Sequence, residues 1–197
     1  MMPITIETHV KALIFDFDGT LIDTMPLHYQ AWKETVELFG AHFPEPLFYE
    51  LAGAPSNKLV AILNNKYGYQ LDAKRITDQK EKRFLEYYLP QAQPIVPMVT
   101  LVKQYHNRLP VAIGTGGILP IVQTGLKSIG LSDTFEVIVT ADDVEQGKPA
   151  PDTFLKAADL LNVLPEHCHV FEDGDLGLEA AQRAGMTATD IRLLDLK

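Results

Sequence analysis

Short runs of consecutive apolar residues recur in the second half of the chain and occur once near its start. They lie at residues 12–15, 111–113, 137–139 and 170–171, with a last one expected near Ile191. A strand that is apolar on successive residues buries both faces, as in a parallel sheet covered by helices on each side. Between the later runs the period changes. Phe154, Leu155, Ala158 and Leu161 fall at helical spacing, with Asp152 placed to cap the start. A second helix is expected from residue 175 or 176 to 184, and Gly185 supplies its stop. Strand–helix alternation of this kind predicts an α/β fold with a doubly wound parallel sheet.

The alternation breaks between Met25 and about Gln93. Helical patterns occupy residues 27–39, 57–67 and 73–88, and no strand pattern stands out. This stretch is expected to form a helical cap inserted into a Rossmann-like core: residues 1–24 begin the core, 25–94 form the cap and 95–197 complete the core. Pro90, Pro94 and Pro97 suit a linker at 89–98 leading back to the core.

Composition narrows the function classes. The formal charge of −9 over 197 residues argues against general nucleic-acid binding, which needs basic surface to neutralise phosphates. A small phosphorylated partner is still compatible, because a few local groups can reverse the field inside one cleft. The one cysteine, Cys168, excludes an intrachain disulfide and a multi-cysteine zinc site, and reads as a buried inert thiol. No apolar run approaches the roughly 20 residues of a membrane span, and no signal-peptide pattern opens the chain. The expectation is a soluble cytoplasmic protein without membrane partners. No exposed apolar helix face stands out as an interface, so a monomer is expected.

The chemistry concentrates after the first strand, in Phe15-Asp16-Phe17-Asp18-Gly19-Thr20-Leu21. Ligands in open α/β sheets bind beyond the carboxyl ends of strands, which is where these carboxylates emerge. An aspartate is ionised at neutral pH and is a nucleophile without a base to activate it. A second carboxylate two residues on can act as general acid and then as base. Later in the chain, Thr115 ends one strand pattern, Lys148 follows Gly147, and Glu172-Asp173 follow another strand pattern. Taken singly, these residues have structural readings: a strand-end threonine, a surface lysine, and acids capping the next helix, a role that Asp175 is expected to fill in any case.

Together and in this order, the four segments resemble the four motifs of the haloacid dehalogenase superfamily of phosphotransferases, across almost the whole chain. The resemblance implies that Asp16 is a covalent nucleophile and Asp18 its acid–base partner. It implies that Thr115, Gly116 and Lys148 bind the phosphoryl group. A magnesium ion is implied on the Asp16 side chain, the Asp18 backbone carbonyl and Asp173, with Glu172 orienting that shell or holding Lys148. The pattern Asp23-Thr24-x3-His28-x3-Trp32 resembles the sugar-phosphate branch, where this segment faces the active site. Trp32 also reads as a residue packed inside the cap.

Within the superfamily the chain resembles the β-phosphoglucomutase-like branch, which holds both mutases and phosphatases, and its whole-chain texture is similar to bacterial sugar-phosphate phosphatases. Mutases of that branch place an arginine soon after a cap glycine to hold a second phosphate. The matching stretch here runs Gly53-Ala54-Pro55-Ser56-Asn57, with Ser56 about where the arginine would be. Gly117 and Leu119 also depart from the polar residues of mutases. Losing a bidentate phosphate clamp is a large change. The expectation is therefore a magnesium-dependent phosphatase of small phosphomonoesters such as fructose 1-phosphate or 6-phosphogluconate, acting through an aspartyl-phosphate. A sugar-phosphate mutase is the alternative; a dehalogenase and a non-enzymatic binding module are weaker ones.

Overall fold

The computed structural model describes residues 4–194. Five parallel strands form the central sheet: β1 (Ala12–Phe15), β4 (Val111–Gly114), β5 (Val137–Val139), β6 (Cys168–Glu172) and β7 (Thr187–Asp190). Their order is β5-β4-β1-β6-β7, so the first strand lies at the centre. Residues of β1 alternate between two apolar layers because successive side chains on a strand point to opposite faces. Leu13 and Phe15 pack with α5 (Val96–Tyr105) and α6 (Leu119–Ser128). Ala12 and Ile14 pack with α7 (Asp152–Leu160) and α8 (Asp175–Arg183). This is the doubly wound α/β architecture that the consecutive apolar runs predict.

The connection from β1 to β4 carries the helical section. Short β2 (Ile22–Asp23) leads into α1 (Met25–Glu37), α2 (Glu45–Glu50), α3 (Ser56–Tyr67) and α4 (Ala73–Arg83). The chain returns through short β3 (Gln93–Pro94), which pairs antiparallel with β2. These helices share an apolar cluster of their own that includes Trp32, Val36, Phe43, Phe48, Leu63 and Ile76. Ala31 and Phe84 instead join the layer beneath α5 and α6, fastening the helical section to the sheet.

Several local expectations need correction. The last strand is Thr187–Asp190, and Ile191 opens a short 3-10 turn after it. As an edge strand with Thr187 and Ala188 exposed, it carries none of the apolar signal of the central strands. Asp152 and Asp175 are first helical residues rather than caps; Pro151 and Gly174 hold the capping positions. The two acids still sit where a negative charge favours the helix dipole. Pro97 and Met98 belong to α5, because proline is tolerated in a first helical turn. The third helical pattern does not run unbroken to Tyr88: α4 ends at Arg83 and a π-helical turn follows over Phe84–Tyr88. Helix α2 and the β2–β3 pairing had no sequence reading; both are too short to show a period.

Candidate active site

Asp16, Thr115, Glu172 and Asp173 arrive at the carboxyl ends of β1, β4 and β6, on either side of the point where the strand order reverses. Gly19 makes the turn after β1 possible. Its φ of +85° is costly for any residue with a β-carbon, and such a carbon would also collide with the Asp173 carboxylate. The Gly19 N–H donates to Ile22 O at 2.9 Å, closing the loop and turning the chain toward the helical section.

Lys148 is the centre of the first cluster. It is 1% exposed, and its Nζ donates to Asp16 Oδ1 and to Glu172 Oε2, each at 2.6 Å. The surface-lysine reading is therefore wrong: the ammonium lies inside the protein, 4.9 Å from the Phe154 ring centroid. Burial alone would lower its pKa, but the Asp16 and Glu172 carboxylates outweigh that effect and raise it. Glu172 Oε1 accepts from the backbone N–H groups of Asp173 and Gly174 at 3.0 and 2.9 Å, so this side chain satisfies backbone donors of the turn that leads into α8. Asp173 Oδ1 accepts from the Thr20 hydroxyl at 2.9 Å.

Asp16, Glu172 and Asp173 each place a carboxylate oxygen within 4.8 Å of the others. Burial, then repulsion from Glu172, raises Asp173 to about 7, against the Thr20 hydrogen bond and the Lys148 charge. The same two causes, burial first, raise Asp16 well above its usual value despite Lys148. One ammonium does not neutralise three crowded carboxylates. A hard, oxygen-preferring divalent cation fits this donor set.

Asp18 belongs to a second cluster. Its Oδ1 accepts from the Thr24 hydroxyl at 2.7 Å and lies 2.9 Å from His28 Nε2. On the other side of the ring, His28 Nδ1 lies 2.8 Å from Lys80 Nζ. An ammonium has only donors, so Nδ1 accepts from protonated Lys80 and the ring proton on Nε2 points at Asp18. Burial would raise the Asp18 carboxyl, but the hydrogen bonds from His28 and Thr24 and the Lys80 charge outweigh it and hold it below its usual value. The His28 ring stacks on Phe84, with centroids 3.6 Å apart. Asp18 comes from the turn after β1, whereas His28 and Lys80 come from α1 and α4, so this chain of contacts ties the helical section to the sheet.

Thr115 is buried and its Oγ1 accepts from the Gly117 N–H at 3.0 Å, which leaves its hydroxyl proton for an oxygen in the cleft. A β-carbon at Gly116 would collide with the Gly53 carbonyl, because the two parts of the chain touch there. A cleft lies between them and brings together Asp16, Asp18, Thr115, Gly116, Glu172 and Asp173 with His28 and Trp32. Trp32 is 2% exposed and packs edge-on against Phe43, so its main environment is the cluster inside the helical section, and only its margin lines the cleft. Cys168 takes no part: it is buried in the sheet and burial raises its thiol to about 11.

Two charged cleft residues escaped the sequence reading, Lys80 and Glu81. The segment Ala73–Arg83 is so rich in charge that it reads as a solvated face. The available signal was positional: Ile76, Lys80 and Phe84 follow one another at i, i+4 and i+8, and all three are buried.

Fold, strand-end carboxylates and buried lysine define a family: the chain belongs to the haloacid dehalogenase-like hydrolases, whose sequence pattern it matches over residues 13–191. Among individual proteins, it is 39% identical over 182 residues to the fructose-1-phosphate phosphatase YqaB of Escherichia coli K12, covering 92% of this chain and 96% of that one. It is 33% identical to a phosphorylated carbohydrates phosphatase of Thermotoga maritima, covering 90% of this chain and 82% of the relative. The crystal structure of β-phosphoglucomutase from Clostridium difficile superposes with a TM-score of 0.77 at 25% identity, over 91% of this chain and 83% of the other. Among the described residues, no helix is long and apolar enough to cross a membrane.

Proposed function

We propose that this phosphoric monoester hydrolase removes phosphate from sugar phosphates by way of an aspartyl-phosphate on Asp16, with a magnesium ion in the acidic cluster and residues 25–94 acting as the cap over the cleft. The observation that carries the reading is the buried Lys148 bridging Asp16 and Glu172 at 2.6 Å, beside Asp173 and Thr115 at the strand ends. The names of the two phosphatase relatives support the substrate class.

In the first step an Asp16 carboxylate oxygen attacks phosphorus, the ester P–O bond breaks, and the Asp18 carboxyl gives its proton to the departing oxygen. Water then attacks phosphorus and gives a proton to Asp18, and the bond to Asp16 breaks, releasing phosphate and restoring the Asp16 carboxylate and the protonated Asp18 carboxyl. Phosphoryl transfer of this kind depends mainly on positioning and on stabilising spread negative charge. Thr115 contributes a hydroxyl donor and Lys148 a fixed positive charge. The Asp16 and Asp173 side chains and the Asp18 backbone carbonyl would hold magnesium, which supplies the remaining charge neutralisation. Held ionised by His28, Thr24 and Lys80, Asp18 rests in the form that accepts the proton of water. It must bind a proton before the first step, so those neighbours govern its cycle. Trp32 and His28 line the cap side of the cleft, where the sugar would lie.

The test is release of inorganic phosphate from a generic aryl phosphate and from a sugar-phosphate panel, with and without magnesium. Turnover should need the metal, and Asp16→Asn should lose on the order of 10⁴-fold in kcat while keeping its circular dichroism. Full activity in Asp16→Asn would sink the mechanism. A sugar-phosphate mutase is the second reading, favoured by the likeness to β-phosphoglucomutase. Against it, Ser56 is engaged with Glu81 at 2.5 Å and supplies no cation for a second phosphate. Incubation with β-glucose 1-phosphate and a bisphosphate activator separates the two: a mutase yields glucose 6-phosphate, a phosphatase yields free phosphate.

A further inference from the structure

The cap wall of the cleft carries one acid with no part in the mechanism above. Glu81 follows Lys80 on α4, lines the cleft, and has a side chain 13% exposed. Its Oε1 accepts from the Ser56 hydroxyl at 2.5 Å, and both its oxygens lie 3.2 Å from Lys80 Nζ. Lys80 is the one cationic side chain lining the cleft among the described residues. Its ammonium is committed on every side, to His28 Nδ1 and to the two oxygens of Glu81. The charge that could have met a second anion is thus already neutralised. The adjoining depression, reached past Ser56 and Glu81, continues the pattern: Asp78, Asp142 and Glu145 line it, with Lys58 as its cation.

A phosphomonoester that places its phosphorus at Asp16 must direct the rest of the molecule toward this wall. Hydroxyl groups there can donate to Glu81 and to the Ser56 oxygen, whose own proton is given to Glu81. A carboxylate or second phosphate would meet Glu81 in a partly desolvated cleft, where like charges discriminate strongly. We infer that Glu81, held in place by Ser56, is a specificity-determining residue that admits phosphomonoesters with an uncharged polyol remainder and rejects those with a second anionic group. This rests on the phosphatase reading and sharpens it: a neutral sugar phosphate such as fructose 1-phosphate is favoured over a sugar-acid phosphate such as 6-phosphogluconate.

The experiment measures kcat/KM of the full chain with magnesium for fructose 1-phosphate, 6-phosphogluconate, fructose 1,6-bisphosphate and an aryl phosphate. The wild type should prefer the neutral sugar by about tenfold or more. Glu81→Gln removes the charge, keeps the volume and leaves the Lys80 charge unneutralised. It should bring the preference to within roughly threefold, chiefly by lowering KM for the two anionic substrates. Ser56→Ala, which only unfastens Glu81, should shift the ratio the same way by less, and covers the case in which Glu81→Gln fails to fold. An unchanged ratio in the folded variants, or an equal loss on all substrates as a merely structural residue would give, overturns the inference while leaving the phosphatase reading standing. Absence of magnesium-dependent turnover of the aryl phosphate and of every sugar phosphate by the wild type overturns that reading, and this inference with it.

Discussion

Replacing Lys148 with methionine keeps most of the side-chain volume and deletes the charge. The wild-type ammonium is fully buried and holds two carboxylates at 2.6 Å, with a third, Asp173, in the same cluster. Removing one partner of a buried ion pair typically destabilises by about 3–5 kcal/mol, because the surviving charge is left in a medium that solvates it badly. Here one substitution strands two carboxylates, which places the loss toward the upper end. For a chain of this size each kcal/mol corresponds to about 2–4 °C, so the melting temperature should fall by roughly 6–20 °C. The condition matters: scanning calorimetry at pH 8 with a chelator should show the largest loss. Acidification to pH 5 should shrink it, since protonating the stranded acids removes their charge. Magnesium should also shrink it by supplying a replacement cation. A fall of less than about 2 °C at pH 8 without metal, or a loss that grows on acidification, would refute the view that Lys148 neutralises this cluster.

The same electrostatics governs the wild type. Asp173 is held at about 7, above its unfolded value near 4, so between those pH values the folded state binds more protons than the unfolded one. Metal-free protein should therefore lose stability as pH rises through this window, and saturating magnesium should flatten the slope; a metal-free melting temperature that climbs from pH 4.5 to 7 contradicts this. Lys80→Met removes a positive charge that lowers the Asp18 pKa, so the acidic limb of the kcat pH profile should move to higher pH; a limb that stays put means that Lys80 does not act through Asp18. Gly19→Ala combines a φ of +85° with a collision against Asp173. It should lower stability by about 1 kcal/mol or more and weaken magnesium binding measured by calorimetry; unchanged metal affinity would show that the turn does not shape the acidic cluster.

Much of this organisation is local and therefore readable along the chain. Consecutive apolar residues at Ala12–Phe15 and Val111–Gly114 announce strands buried on both faces, and the polar residues that follow must emerge at their carboxyl ends. That reasoning reaches Asp16, Thr115, Glu172 and Asp173, which the sheet brings together. Lys148 was reachable only through its resemblance to a motif, since nothing in its neighbours marks it as buried. Edge strand Thr187–Asp190 escaped because edge exposure relaxes the demand for apolar residues, and Glu45–Glu50 because six residues show too little period. The largest gap lies in the helical section. Lys80 and Glu81 sit in a helix whose composition reads as solvated, yet the packing of Ile76 and Phe84 turns Lys80 inward against His28. The sequence by itself determined the α/β scaffold and the acids at its strand ends, because burial pattern and chain direction are properties of short segments. Only the tertiary structure decided which polar groups pair, because Lys148 with Asp16, Lys80 with His28 and Ser56 with Glu81 lie 132, 52 and 25 residues apart, and pairing follows distance in space.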